Sequence, residues 1–378
     1  MLLKQTPLTF FEDISVVDMH LRIYSDNNYY KAELQICGIK PQRFRIGLTS
    51  HDVEELNAEL QQAIEDITNK VGEDNEAGLE TLIELATIGK SAFNRIFSEG
   101  SSREIIQKAL EILEVKTVVT IEISSENFFI PWEILYQGSL ATFDISNFWG
   151  MRYIIARTLI QDNRPGDMVS PIIQASCPEV GLVACKELEY VSAKEIPALE
   201  KLHQNKLIRL SCLHALNVEQ RSKSFKEFGH FLRGNLHIVH FACHAYVKIP
   251  HDRSCLYISD QFDITIQDFY AHEFKIACNP LIILNACRTG TNSPLYTSNW
   301  AALFWEYGAR GVLATEFRVP DWFAAAFIEE LYKCLLAGKP IGECLWHTRH
   351  HFWEKERNLL GLAYALYSPL SIKLVKAN

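Results

Sequence analysis

A cysteine and a histidine each follow an apolar run in this sequence. Cys287 ends the run in "NPLIILNACRTG" (residues 279–290), where a polar turn segment comes directly after it. His244 stands near the end of "NLHIVHFACHAYV" (235–247). Apolar runs of this kind, closed by turn residues, predict buried strands. Each of the two residues should therefore lie at the carboxyl end of a strand.

A thiol and an imidazole at neighbouring strand ends could act as a nucleophile and its base. A thiol with an ordinary pKa is only a few per cent thiolate at neutral pH, so it needs a nearby base or cation. Cys287 and His244 are 43 positions apart, similar to the roughly 50 positions between the histidine and the Ala-Cys pair of the caspase signature. The alternative is that Cys287 is a small buried apolar residue.

The elements that must position this pair predict an α/β fold. Beyond residue 171, strand patterns alternate with helical patterns, which favours a mostly parallel sheet with helices on both faces. Earlier in the chain we predict a hairpin within 19–38, helices over 51–71, 78–98 and 102–113, and a strand at 115–123. In such sheets, sites form where strands deliver their carboxyl ends.

Composition narrows the function classes. The chain has 378 residues, 48% of them apolar and 22% charged, with 37 basic and 46 acidic residues and a net charge of −9. These values are typical of a globular protein, and no basic block suggests nucleic acid or anionic lipid. No apolar run reaches membrane-spanning length and no secretory signal begins the sequence, so we expect a cytoplasmic protein without membrane contact.

Metals and cofactors are not expected. The ten cysteines include no CxxC pair, which argues against a zinc ribbon and favours reduced thiols. His347 and His351 could share one face of a helix, but no third ligand completes a metal set with them. Neither GxGxxG nor GxxxxGK[ST] occurs, which disfavours a nucleotide-handling enzyme on a doubly wound sheet.

Four blocks of the sequence together resemble the CHAT proteases, bacterial relatives of caspases and separase. They are "FFIPWEIL" (128–135), "IVHFACHA" (238–245), "PLIILNACRTG" (280–290) and "GARGVLATEFRVPDWFAAAFIEELYKCLLAGKPIGECL" (308–345). The resemblance implies a caspase-like sheet flanked by helices. It also implies two halves: an inactive, pseudo-caspase-like half over 1–165 and an active protease half over 166–378, joined within the polar linker segment 161–171.

The resemblance also implies roles for individual residues. His244 would be the catalytic base and Cys287 the nucleophile, with His240 a buried neighbour. Backbone N–H groups of Cys287 and Ala245 would hold the oxyanion. The family usually has glycine at the position of Ala245, and alanine resists a positive φ.

Two acidic residues are candidates for substrate binding. Asp321 stands where separase-like proteases have an acidic residue in the pocket for the side chain before the scissile bond, which would favour a basic side chain there. The alternative is that Asp321 is a helix N-cap. Glu316 lies in a predicted strand, "GVLATEFRV" (311–319), whose carboxyl end should approach the same cleft, and its alternative is a solvated or ion-paired residue.

The function that the resemblance implies is that of a cysteine endopeptidase. It would cleave a protein partner, such as a gasdermin or another effector, in a bacterial defence or cell-death module. The chain carries no recognisable sensor, so a separate activator or sensor protein is expected. The alternative is a catalytically inert, caspase-like scaffold or regulatory subunit in which the cysteine and the histidine only pack.

Overall fold

The residues described by the structure, a computed structural model, cover most of the chain. They are residues 17–70, 78–160, 169–213, 216, 218–246, 254–259, 262–288 and 294–376. At positions 70, 218, 286–288 and 294–298 the description extends to the backbone and not to the side chains.

Fifteen strands lie within the described residues. They are Met19–Asp26 (β1), Tyr29–Ile36 (β2), Gln42–Thr49 (β3), Val119–Ser125 (β4), Tyr153–Leu159 (β5), Ile172–Gln174 (β6), Glu179–Ala184 (β7), Arg209–Cys212 (β8), Ile238–Tyr246 (β9), Cys255–Ser259 (β10), Phe262–Thr265 (β11), Leu281–Arg288 (β12), Gly311–Thr315 (β13), Tyr364–Tyr367 (β14) and Lys373–Val375 (β15).

Helices cover both faces of the strands. The α-helices of the described residues are Ser50–Lys70 (α1), Leu79–Ile96 (α2), Ser102–Leu113 (α3), Trp149–Arg152 (α4), Ile196–Gln204 (α5), Arg221–Leu232 (α6), Ile266–Ala271 (α7), Pro294–Glu306 (α8), Asp321–Leu336 (α9) and Ile341–Glu356 (α10). A π-helical segment, Val191–Glu195, leads into α5, and 3-10 turns include Trp132–Ile134. None of these helices is both long and apolar enough to cross a bilayer.

Thirteen of these strands form one sheet. Its order is β11-β10-β9-β12-β13-β14-β5-β4-β1-β2-β3, and β7 pairs with the first part of β9 and with β8. Strand β9 runs parallel to β12, which runs parallel to β13. The predicted fold class, α/β with a mostly parallel sheet flanked by helices, is confirmed.

The parallel strands of the two halves run in opposite directions. Strand β14 is antiparallel to β13 and parallel to β5, and β5 is parallel to β4 and β4 to β1. As a result, the carboxyl ends of β9, β12 and β13 share one edge of the sheet, and those of β1, β4 and β5 point to the other. Among the described strands, the parallel strands that end at the edge carrying His244 and Cys287 belong to the C-terminal half.

Most predicted elements are present, and several further ones were not anticipated. The predicted hairpin is β1 and β2, and the predicted helices correspond to α1, α2 and α3. Strands β3, β6, β14 and β15 had not been predicted. Helix α8 starts at Pro294, inside a stretch that the sequence pattern did not assign to a helix.

The predicted boundary between the halves, at residues 165 and 166, lies outside the described residues. On either side of it, the strands of both halves belong to the same sheet, and β14 from the C-terminal end of the chain pairs with β5 from the first half. The division into halves 1–165 and 166–378 stays a prediction.

A buried group of charges joins the two halves. Arg157, on β5, donates to Glu316 at 2.7 Å and to Glu133. The Tyr367 hydroxyl donates to the same Glu316 oxygen at 2.5 Å. The side chains of Arg157, Glu133 and Glu316 are 4%, 0% and 1% exposed, so these charges depend on one another for compensation.

Arg349 on α10 extends this group. Its guanidinium approaches Glu133 at 3.5 Å and donates to the carbonyl oxygens of Tyr364 at 2.6 Å, Gly361 at 3.1 Å and Gly150 at 3.1 Å. Burial lowers the pKa of Arg349 to about 10, so the side chain is still protonated at neutral pH. Two arginines thus balance two glutamates inside the core.

Replacing Arg157 by methionine should lower the free energy of unfolding by about 3–5 kcal/mol, because Glu133 and Glu316 would lose a cation while remaining buried. Arg43→Met is the matched control. It breaks an ion pair with Glu33 of similar length, 2.7 Å, on a side chain that is 83% exposed, and should cost less than about 1 kcal/mol. Denaturant titration measures both, and equal losses would contradict a role for burial.

Candidate active site

The backbone of β9 places His244 directly opposite Cys287 on β12. The two strands pair in parallel from Ile238 with Leu281 to Ala245 with Arg288, and Cys287 is the register partner of His244. Paired strands are about 4.8 Å apart. The prediction that the two strand ends lie side by side is confirmed at the level of the backbone, and the Cys287 side chain lies outside the described part of the structure.

The His244 ring lies at the rim of the sheet. It is half-buried, in contrast to the four residues before it on β9, which are buried. Its ring centroid is 6.2 Å from that of Tyr246, and on the other side of β9 its register partner is Tyr257 of β10. A half-buried imidazole at a strand end can exchange protons with a bound substrate.

Positions 244 and 287 belong to the same face of the sheet. His240 on β9 and Asn285 on β12 both donate to Oε1 of Glu195, each at 2.7 Å, so these two side chains share a face. Side chains alternate along a strand with a period of two, so 244 falls on the face of 240, and 287 on that of 285. The register and the alternation therefore agree.

His240 is the other histidine of this block, and its surroundings are those of a structural residue. It is fully buried, with Nε2 2.7 Å from Glu195 and Nδ1 3.2 Å from the Tyr332 hydroxyl. Burial raises the pKa of that hydroxyl, so Tyr332 keeps its proton and can donate it to Nδ1. With both nitrogens engaged away from solvent, His240 has no position for a substrate proton.

Cys243, next to His244 in sequence, is an inert thiol. It is fully buried, and burial raises its pKa well above the ordinary value. A thiol in apolar surroundings is a poor nucleophile and a poor metal ligand. Among the described residues, no cluster of histidine, cysteine and carboxylate side chains has the arrangement of a metal site.

Ala245 lies in extended backbone, paired with Leu256 of β10 and Arg288 of β12. The backbone φ of Ala245 lies outside the positive range. Alanine at a position where the family usually has glycine therefore causes no backbone strain here. The role of the Ala245 and Cys287 N–H groups in holding an oxyanion stays a prediction.

Asp321 is the first residue of α9, at the edge of the sheet where β13 ends. The helix runs back over β12, because the Ala324 carbonyl, one turn further on, accepts from Asn285 at 3.4 Å. Asp321 is half-buried. The N-cap is Pro320 and not Asp321, and no side chain caps this helix end. The N-cap alternative is therefore wrong, and a role in a substrate pocket stays a prediction.

Glu316 follows β13 directly, but its carboxylate is directed towards the joint between the halves. Its Oε1 accepts from Arg157 and from Tyr367, and the residue is 1% exposed. This arrangement corresponds to the ion-paired alternative. Contact between Glu316 and a substrate stays a prediction.

The sequence of the chain matches one protein family. Residues 101–367, well over half of the chain, match the CHAT domain. The chain belongs to the CHAT family. No curated protein is similar to it in sequence.

Solved structures show the relation of this CHAT-family fold to separase. A chain in the crystal structure of the Saccharomyces cerevisiae separase–securin complex at 3.0 Å superposes with a TM-score of 0.50 at 11% identity, covering 93% of the chain and 30% of its counterpart. A second crystal structure of that complex, at 2.6 Å, gives a TM-score of 0.47, 11% identity, and coverage of 94% and 30%. The chain thus spans less than a third of the chains it matches.

Sequence reasoning missed the residues that hold the two strands together beneath the site. Neither their residue types nor their spacing singles out Glu195, Asn285, Tyr332 or Tyr364 in the sequence. The one local signal was a glutamate inside an apolar helical pattern, at position 195. Its partners come from other parts of the chain, which no pattern in the sequence reveals.

The three histidines of α10 have separate roles. His347 pairs with Glu343 at 3.3 Å, and His351 approaches Glu330 at 3.7 Å. His350 Nε2 lies 2.8 Å from the Met151 carbonyl oxygen, which also accepts from the Trp346 indole at 2.9 Å. These contacts direct the three rings to different partners.

Burial lowers the pKa of His350, so the folded protein favours the neutral ring. The stability that this supplies is fully present above the unfolded value of about 6.5 and is lost as the pH falls through the lowered folded pKa. When the pH is lowered from 7 to 5.5, the free energy of unfolding of His350→Gln should fall less than that of wild type, by up to about 1.4 kcal/mol. Denaturant titrations at both pH values measure this, and parallel losses would contradict it.

Proposed function

We propose that this chain is a cysteine endopeptidase in which Cys287 is the nucleophile and His244 the base. The observation that carries the proposal is the register of β9 and β12, which pairs these two positions at the carboxyl edge of the sheet and on one face. Membership of the CHAT family and the separase-like fold support it.

The chemistry follows from the two groups. His244 accepts the Cys287 proton, and the thiolate adds to the carbonyl carbon of the scissile peptide bond. The oxygen becomes an anion, which N–H groups of Cys287 and Ala245 stabilise. When the C–N bond breaks, His244 returns the proton to the leaving amine and a thioester remains. Water, deprotonated by His244, then hydrolyses the thioester and frees the thiol.

The position of Asp321 supports a preference for a basic side chain before the scissile bond. It begins α9 at the edge where β9 and β12 end, and the first turn of α9 packs on β12. A half-buried carboxylate there would attract an arginine or a lysine of the substrate by a charge-assisted hydrogen bond. Glu316 is not required for this pocket, since Arg157 and Tyr367 hold its carboxylate.

Protein partners are part of the proposal. The substrate would be a protein, such as a gasdermin or another effector of a bacterial defence or cell-death module, and a separate sensor or activator would switch the enzyme on. The separase of the matching crystal structures is in complex with securin, an example of this fold in contact with a protein partner. We place the protease in the cytoplasm.

Cys287→Ala and His244→Ala should each abolish proteolysis, by at least about a thousandfold, because the nucleophile and its base act as one unit. The assay incubates the purified protein with a denatured peptide library and identifies new amino termini by mass spectrometry. Co-expression with the products of neighbouring genes provides a second assay in which an activator is present.

Cys37→Ser is the control for this test, since Cys37 is an exposed thiol far from the site in sequence and lies in the first half. It should cleave as wild type does. Cleavage by Cys287→Ala at the wild-type rate would refute the proposal that Cys287 is the nucleophile of a protease. If wild type cleaves nothing in either assay, the inert scaffold becomes the better description.

Asp321→Asn should reduce cleavage after arginine and lysine by about 10- to 100-fold while changing cleavage after other residues little, because the amide keeps the shape of the pocket without its charge. The library profile measures the change. Glu329→Gln, which removes a carboxylate from an exposed part of the same helix, is the matched control. An unchanged profile in Asp321→Asn would leave this residue with a structural role only.

A further inference from the structure

A network of buried polar side chains lies beneath the candidate active site. Glu195 accepts hydrogen bonds from His240 on β9 and from Asn285 on β12, and Tyr364 on β14 donates to Asn285 at 2.7 Å. We propose that this network positions the strand ends that carry the nucleophile and the base, and that it couples them to the N-terminal half of the chain. The inference rests on the proposed function.

Glu195 is the part of the network that joins the two strands. One carboxylate oxygen, Oε1, accepts from an imidazole on one strand and an amide on the other, each at 2.7 Å. The residue is 2% exposed. If β12 slid along β9 by one residue, about 3.3 Å, Asn285 would lose Glu195 and its side chain would move to the opposite face. The cost of unpaired buried groups opposes such a shift.

The local sequence explains how Glu195 reaches both strands. It closes the π-helical segment Val191–Glu195, and α5 begins with Ile196 and Pro197. Proline has no N–H, so the hydrogen bond that residue 197 would donate to the carbonyl of residue 193 cannot form. A π-helical turn is a rare, locally widened helix that recurs at functional sites. Here it ends on the carboxylate that binds both strands.

Tyr364 connects this network to the charged group between the halves. Its hydroxyl donates to Asn285 Oδ1, and its carbonyl oxygen accepts from Arg349 at 2.6 Å. Arg349 in turn approaches Glu133 of the first half at 3.5 Å. The Tyr364 ring stacks on Phe327 of α9, with centroids 4.0 Å apart and planes at 11°. Tyr364 thus links two sets of hydrogen bonds through its own backbone and ring, one that leads to Glu133 and one that leads to Glu195.

The same side chains hold α9, which begins with Asp321. Asn285 also donates to the Ala324 carbonyl at 3.4 Å, and Tyr332 of α9 contacts His240. Two strand ends and one helix start are thereby fixed to a common set of buried partners. In this arrangement the first half, whose described parallel strands end at the opposite edge of the sheet, takes part in positioning the site. Glu195, Asn285 and Tyr364 are positioning residues, because their described hydrogen bonds go to buried groups beneath the site.

The test measures the reactivity of the Cys287 thiol in the full-length protein and needs no substrate. Iodoacetamide alkylation of the Cys287 peptide is followed by mass spectrometry from pH 5 to pH 10, with circular dichroism and thermal unfolding as checks on the fold. In wild type, His244 should give Cys287 a thiolate at a lower pH than the ordinary value of about 8.5.

Tyr364→Phe removes one hydroxyl and keeps the ring on Phe327. Alkylation of Cys287 at pH 7 should fall about tenfold, the factor that corresponds to one lost buried hydrogen bond, and the pH midpoint should move towards that of an ordinary thiol. Tyr30→Phe is the matched control, a buried tyrosine of the first half whose hydroxyl lies 3.3 Å from Ser50, and it should leave the profile unchanged.

Glu195 supplies a second pair of variants. Glu195→Gln keeps an oxygen that can accept from His240 and Asn285, so it should retain most of the wild-type reactivity, and Glu195→Ala should lose it. A wild-type profile in both Tyr364→Phe and Glu195→Ala, with the fold intact, would overturn the inference. The inference would also be overturned if Tyr30→Phe changed the alkylation profile of Cys287 as much as Tyr364→Phe does.

The outcomes also separate this inference from the proposed function. If Cys287 of wild type titrates as an ordinary thiol, the proposed activation by His244 fails. Hydrogen exchange of the backbone amides at 243–246 and 286–288 then decides the positioning role. Faster exchange in Tyr364→Phe than in Tyr30→Phe would support the network, and equal exchange in the two variants would overturn it.

Discussion

The parallel pairing of β9 with β12 is the interaction on which the rest of this structure depends. Both strands are buried where they pair over Ile238–Phe241 and Leu281–Leu284, so the hydrophobic effect holds them in the centre of the sheet. Their hydrogen bonds then set the register. Because the side-chain period is two, this register alone decides whether positions 244 and 287 meet on one face or are separated by the sheet.

Strands that are apolar on both faces specify their register less strongly through burial than strands with one polar face, because a shifted register still buries apolar side chains. Buried polar groups can specify a register, because an unpaired carboxylate or amide in the core costs more than a shifted methyl group. Glu195 and Asn285 have this property at the site, and Arg157 and Glu316 have it at the joint between the halves. These buried polar groups therefore lie where two strands, or the two parts of the sheet, are joined.

The first half of this CHAT-family chain has an architectural role in the described structure. Its parallel strands point away from the candidate active site, and its segment Trp132–Ile134 places Glu133 between two arginines. The block "FFIPWEIL" that resembles the family therefore contributes a buried anion and a packed tryptophan, Trp132.

The sequence by itself determined the features that depend on neighbouring residues in the chain. These are the strands β9 and β12 from their apolar runs, the helices α1 to α3 from their periodicity, and the histidine and cysteine at strand ends. Tertiary structure alone decided what depends on distant residues. The four-residue strand β14 is too short to be recognised, and exists because β13 and β5 flank it. Glu316 and Glu195 look alike as isolated acidic residues, and only their partners, up to 159 positions away, show that one joins the halves and the other joins the strands.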